Sequence, residues 1–190
     1  MKLIGIAGTD GSGKDSLGHF LRDKLGWYFI SVTDLLRAEA KIRSIPLSRS
    51  TLKIISAEWR QKEGLGVLID HAVREYQSLD KTYEGLCLAS LRNPGEVDSV
   101  HQLGGKVVWL DAPQKLRYQR AKARNKGAED RITLKEFQKE EAEQMHSTDE
   151  NALNLSAVKA KADIFITNDN NDFALFEKHA TEALAEYLKA

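Results

Sequence analysis

The segment Gly8-Thr9-Asp10-Gly11-Ser12-Gly13-Lys14 constrains this chain more than any other. It follows Leu3–Ala7, a short apolar run of the kind that forms a buried strand. It precedes Ser16–Leu25, where Leu17, Phe20, Leu21 and Leu25 recur at helical spacing. A strand, a glycine-rich loop ending in Gly-Lys and a helix together make a phosphate cradle. Backbone N–H groups must wrap phosphate oxygens, and Gly8, Gly11 and Gly13 permit the backbone angles this needs. The N-terminus of the following helix adds partial positive charge. Lys14 supplies a full charge to the outer phosphates, with Asp10 and Ser12 completing the loop.

One position departs from the usual pattern. The residue after the lysine is ordinarily Ser or Thr, whose hydroxyl ligates magnesium. Here it is Asp15, followed by Ser16. A carboxylate is a hard oxygen ligand that suits magnesium. Asp15 and Ser16 are therefore the candidate metal ligands, and Ser16 can also donate to a phosphate oxygen. The alternative is that Asp15 only complements the positive end of the helix.

The rest of the chain supports one α/β domain over residues 1–190. Apolar runs at Trp27–Val32, Gly85–Leu91, Lys106–Leu110 and Asp163–Thr167 predict further strands. Helical patterns cover Asp34–Ile42, Leu52–Lys62, Val67–Leu79, Gln114–Asn125, Thr133–Met145 and Phe173–Leu188. Asn93-Pro94-Gly95 reads as a break after the third strand. Strands alternating with helices imply a parallel sheet covered on both faces, with ligands beyond the carboxyl ends of its strands.

Composition excludes several classes. The 28 basic and 28 acidic residues cancel, which argues against a general nucleic-acid or membrane-surface binder. Cys87, the single cysteine, lies in an apolar run and reads as core; it allows no internal disulfide. Trp27, Trp59 and Trp109 also read as core. No apolar stretch is long enough to span a bilayer and no leader precedes Leu3, so a soluble cytoplasmic protein, monomeric or homodimeric, is expected.

The chain resembles the adenylate kinase-like branch of P-loop kinases, the nucleoside monophosphate kinases. Ile30-Ser31-Val32-Thr33-Asp34-Leu35-Leu36-Arg37 is similar to the family's second strand and next helix. Leu88-Ala89-Ser90-Leu91-Arg92-Asn93-Pro94 is similar to the strand end that carries a second acceptor arginine, although Ala89 and Ser90 replace the usual acidic residue and glycine. Trp109-Leu110-Asp111-Ala112-Pro113, with Arg120 and Arg124, resembles the strand and lid helix. Ala162-Asp163-Ile164-Phe165-Ile166-Thr167-Asn168 resembles the last strand, whose following loop lies beside adenine. The resemblance implies a P-loop NTPase three-layer sandwich with about five parallel strands, an acceptor-side helical insert around 33–80 and a lid around 117–145. It implies ATP and Mg2+ as cofactors and a small nucleotide-like acceptor. Arg37, Arg92 and Asp34 would hold that acceptor, while Arg120, Arg124 and Asn168 would join the loop around ATP. Lys14, Arg92 and Arg124 would act on the transferring phosphoryl group.

Asp15 is also similar to phage deoxynucleoside monophosphate kinases and animal phosphomevalonate kinases. Arg92 with Glu96 is similar to dephospho-coenzyme A kinases, where a hydroxyl is the acceptor; Asp10 would then be the candidate base. A slow ATPase switch acting on a protein partner is the reading from another class, and it has no need of a second anion site.

The arginines support a ligand face independently. At about 100° per residue, Arg117, Arg120 and Arg124 fall within about 60° of one another, with Lys115, Lys122 and Lys126 opposite. Arginine offers a planar fork for phosphates, whereas lysine is a hydrated point charge. Arg131 is a further lid candidate. Asp111 reads as a helix cap or as the holder of a water near the metal.

Overall fold

The computed structural model describes residues 1–124 and 133–189. Arg131, Lys126 and the middle of the expected lid lie outside the described residues. Among those described, β1 (Leu3–Gly8), β2 (Tyr28–Ser31), β3 (Leu86–Leu91), β4 (Lys106–Asp111) and β5 (Ile164–Thr167) form one parallel sheet. Its order is β2-β3-β1-β4-β5, with the strand that enters the glycine loop at the centre.

Helices cover both faces, as parallel strands require. Alternate residues of the inner strands sort into two cores. Leu3, Leu86, Leu88, Val107 and Trp109 face one layer, built by α2 (Val32–Ile42), α3 (Arg49–Glu63), α4 (Val67–Gln77), α5 (Pro94–Gln102) and α8 (Leu155–Lys161). Ile4, Ile6, Cys87, Val108 and Leu110 face the other, built by α1 (Lys14–Leu25) and α9 (Phe173–Lys189). Trp27, Trp59 and Trp109 are core residues, and burial pushes the Cys87 thiol well above its ordinary range. The remaining helices, α6 (Gln114–Arg124) and α7 (Leu134–Met145), stand beside the glycine loop.

Three local expectations change. Asn93-Pro94-Gly95 does not break the chain into a loop; it starts α5. Asn93 caps the helix through Gly95 N at 2.8 Å, and Glu96 returns a bond from Asn93 N at 3.1 Å. Pro94 fits because the first helical N–H has no intrahelical partner anyway. The helix α8 was not expected, because seven residues carry too little periodicity; Asn154 caps it through Ala157 N at 3.1 Å. The second strand is shorter than expected, ending at Ser31, so that Val32 opens α2.

Candidate active site

All five strands run the same way, so their carboxyl ends gather at one edge. There a cleft of about 430 Å³ opens between the glycine loop, α2–α3 and α6, with the loop after β5 at one end. Asp10, Gly11, Gly13, Lys14, Asp15 and Ser16 line it. Gly8 and Ser12 are buried beneath. The loop tolerates little else at Gly13. Its φ is +108°, and an added Cβ would lie 2.5 Å from the Asn168 amide nitrogen. Asn168 uses that nitrogen to donate to Ser12 O at 2.9 Å, which holds the loop against the last strand.

Lys14 is buried at the loop's end and donates to Thr9 O at 2.6 Å. Burial lowers its pKa to about 8, with Arg92 the next cause and Asp10 and Asp15 pulling the other way. Arg92 lines the same cleft. Burial likewise lowers the pKa of Arg92. Two cations that line one cleft and lose solvent on burial make a seat for an anion.

The other arginines are distributed by role. Arg120 donates to Asn168 O at 3.0 Å and to the Asn171 side chain at 3.1 Å, beside the loop that follows β5. Arg124 donates to Asp10 Oδ1 at 3.2 Å. Arg117 is a correction to the expected ligand face. It is buried, donates to Ala112 O at 2.7 Å and pairs with Glu141 of α7. Lys115 and Lys122 do face solvent. Arg37 lines the cleft but pairs with Asp34 at 2.7 Å; Asp34 itself is exposed and does not line the cleft. Asp111 accepts from Ala112 N at 2.9 Å and from Thr9 Oγ1 at 3.4 Å, so it ties β4 to the loop.

The sequence reading missed the partners that α7 supplies. Glu140 pairs with Arg49, Glu141 with Arg117, and Gln144 accepts from Arg92. Their spacing, on a polar helix, reads in sequence as a solvated face. It also missed Arg49, whose signal was a cation in the first turn of a helix, where the dipole disfavours one. Arg60, to which sequence assigned no role, lines the cleft and is 3% exposed.

Ser90, near the end of β3, has a backbone that L side chains rarely adopt. Its φ is +72°, and the β1–β3 register skips it, passing from Ile6↔Ala89 to Ala7↔Leu91. The bulge sits where the resembled family carries glycine. Its hydroxyl accepts from Ser31 at the end of β2 at 3.3 Å.

Asp10 departs from the expected base. Burial would raise its carboxyl, but Lys14, Arg124, Arg92 and Arg49 outweigh that and hold it well below the usual carboxylate range. A carboxylate so paired is a poor proton acceptor. For metal, Asp15 and Ser16 both line the cleft beside Lys14. Magnesium bound through phosphates needs one or two protein oxygens, so these residues fit it. Among the described residues no group of three or more His, Cys, Asp or Glu is arranged to hold a metal by itself.

Sheet order, glycine loop and helical layers define the P-loop kinase fold, and comparison with solved structures agrees. TT1252 of Thermus thermophilus matches with a TM-score of 0.63 at 20% identity, over 99% of this chain and 98% of that one. A shikimate kinase of Bacteroides thetaiotaomicron matches with a TM-score of 0.55 at 14% identity, over 99% and 98%. A gluconokinase of Sinorhizobium meliloti matches with a TM-score of 0.54 at 16% identity, over 99% and 94%. In sequence, the chain is similar to a UPF0200 protein of Pyrococcus abyssi, 28% identical over 89% of this chain and 88% of that protein. It is also similar to a UPF0200 protein of Pyrococcus horikoshii, 25% identical over 98% and 97%. No protein-family model matches the chain. No helix among the described residues is long and apolar enough to cross a membrane.

Proposed function

We propose that this protein is an ATP-dependent phosphotransferase that moves the γ-phosphate to an anionic oxygen of a small nucleotide-like acceptor. The observation that carries the reading is that Lys14 and Arg92 line one cleft. One belongs to the loop that would bind ATP, the other to the end of a neighbouring strand. On this reading two anion sites would meet there, which suits transfer from one phosphate to another and is superfluous in a slow ATPase switch.

On this reading Gly8, Gly11, Ser12, Gly13, Lys14 and Ser16 hold the nucleotide's phosphates, with Asp10 contributing to the loop as backbone only, while Arg120 and Asn168 flank its base. Arg92 and Arg37 hold the acceptor, with α2–α4 as the acceptor side and α6–α7 as the lid side. Asp34 steadies Arg37 and does not touch the acceptor. Val32, Leu36, Leu52 and Leu68 give the acceptor side an apolar lining that suits a flat, weakly polar body such as a nucleobase. Magnesium, held by Asp15 and Ser16, would neutralise charge on the phosphates.

Phosphoryl transfer asks for positioning and charge neutralisation rather than covalent help. An acceptor phosphate needs no base, whereas a hydroxyl does. The carboxylates lining the cleft are otherwise engaged: Asp10 with two arginines, Glu96 in the α5 cap, Asp172 capping α9 through Leu175 N, and Asp15 beside Lys14. This favours a phosphate acceptor over the hydroxyl of dephospho-coenzyme A.

A phosphoryl-transfer screen tests the proposal. It uses labelled ATP with magnesium and offers the nucleoside and deoxynucleoside monophosphates, phosphomevalonate and dephospho-coenzyme A. Transfer to a phosphate-bearing acceptor is expected. Transfer to dephospho-coenzyme A alone, or hydrolysis stimulated by a protein partner without any small acceptor, overturns it.

A further inference from the structure

Asp10 ties together parts of the cleft that belong to different walls. Its Oδ2 accepts from Arg49 Nη2 at 3.0 Å, and its Oδ1 accepts from Arg124 Nη1 at 3.2 Å and from Gly11 N at 3.0 Å. Arg49 is the first residue of α3 and also pairs with Glu140 of α7. Arg124 ends α6. One carboxylate on the cleft floor therefore joins the α3 wall to the α6–α7 wall.

Two features of this arrangement are unfavourable by themselves. A carboxylate in a loop built for phosphates repels the ligand. A cation at the start of α3 opposes that helix's dipole. Each offsets the other, since Asp10 and Glu140 neutralise Arg49. The geometry also places the guanidinium groups of Arg49 and Arg124 on an anion of the glycine loop, four residues before Lys14, and all three residues line the cleft.

We propose that Asp10 is an internal competitor of the terminal phosphate, and that Arg49 and Arg124 exchange its carboxylate for that phosphate when a nucleoside triphosphate enters. Arg49 is thereby a phosphate-contacting residue contributed by the acceptor-side wall. The inference rests on the phosphate-loop reading above. It deepens that reading by naming what distinguishes triphosphate from diphosphate. A triphosphate reaches the two arginines; a diphosphate, one phosphate shorter, leaves them on Asp10.

Calorimetric titration of ATP and of ADP, each with magnesium, tests this on the whole chain. Asp10→Asn should tighten ATP by about tenfold and ADP much less, because the arginines no longer have to leave a carboxylate. Arg49→Ala should weaken ATP by about tenfold and leave ADP near its original affinity. In the Arg49→Ala background, the gain from Asp10→Asn should shrink, since the two residues act on one exchange. Glu140→Gln lies outside the loop and reports independently if Asp10→Asn does not fold. It should tighten ATP by about threefold. ATP and ADP affinities that move together in Asp10→Asn and Glu140→Gln, or an Arg49→Ala protein that still binds ATP normally, overturn the exchange while leaving the phosphate loop standing. Binding of neither nucleotide by the unmodified protein overturns both.

Discussion

Arg60 Nη2 lies 2.6 Å from Glu96 Oε1, and the two side chains are 2% and 0% exposed. Arg60 also donates to Asn151 O at 2.9 Å, while the other Glu96 oxygen accepts from Arg92 N at 2.7 Å and Asn93 N at 3.1 Å. Glu96 therefore joins α3 to the turn that presents Arg92. Removing one member of a buried pair strands the other charge. Glu96→Ala or Arg60→Ala should cost about 3–5 kcal/mol, a drop in melting temperature of roughly 6–20 °C for a domain of this size. Thermal melts of both variants check this. A loss below about 1 kcal/mol would show that water or a new partner replaces the pair.

Lys14 gives a pH signature. Its pKa of about 8 lies below the ordinary 10.5. Below about pH 8 the buried ammonium costs the fold free energy. Between about 8 and 10.5 the folded protein has released a proton that the unfolded chain keeps, so this residue's contribution to stability rises with pH. Nucleotide binding runs the other way, because phosphates need the charged form. ATP affinity should fall through about pH 8, approaching tenfold per pH unit above it, with proton uptake on binding. Lys14→Arg should flatten that profile and Lys14→Ala should abolish transfer while the fold survives. Titration in buffers of different ionisation enthalpy measures the proton. A flat profile in the unmodified protein contradicts this role for Lys14.

Arg92 and Arg37 should differ in weight. Arg92 lines the cleft with Lys14 and is held by the neutral Gln144, whereas Arg37 is already paired with the Asp34 carboxylate. Arg92→Ala should lower kcat/KM for the acceptor by about 2–4 kcal/mol, and Arg37→Ala by about 1 kcal/mol. ATP affinity measured without acceptor should change much less. Equal loss of ATP affinity in both variants would move these arginines out of the acceptor site.

Asp15 should make nucleotide binding depend on metal. Its charge repels bare phosphates and attracts magnesium, and Lys14 offsets part of the repulsion. Asp15→Ser should raise affinity for metal-free ATP, whereas Asp15→Ala should weaken binding of the magnesium complex and slow transfer. Titrations with magnesium and with a chelator compare the three proteins. The same metal dependence in all of them would leave Asp15 as a helix-start residue.

Much of this site was legible in sequence because it is local. The glycine spacing from Gly8 to Gly13 specifies backbone angles within a few residues of Lys14, and apolar runs such as Leu3–Ala7 specify strands without reference to distant partners. Arg92, Arg120 and Arg124 could be picked out by their places after a strand and along one helix face. Pro94-Gly95 misled because the same residues stop a strand and start a helix. The choice depended on the Asn93–Glu96 capping box and on Glu96 being buried against Arg60.

By itself the sequence determined the phosphate loop, the alternation of strands and helices, and the supply of arginines. Only the tertiary structure decided what each arginine does. Arg117 is taken by Glu141 and the Ala112 carbonyl, Arg124 reaches Asp10 across 114 positions, and Arg49 reaches it across 39. The reason is physical. Backbone geometry and hydrophobic periodicity are short-range properties of contiguous residues, whereas a charge acquires its role from the partners that packing brings within hydrogen-bond distance, and those partners come from other elements of the chain.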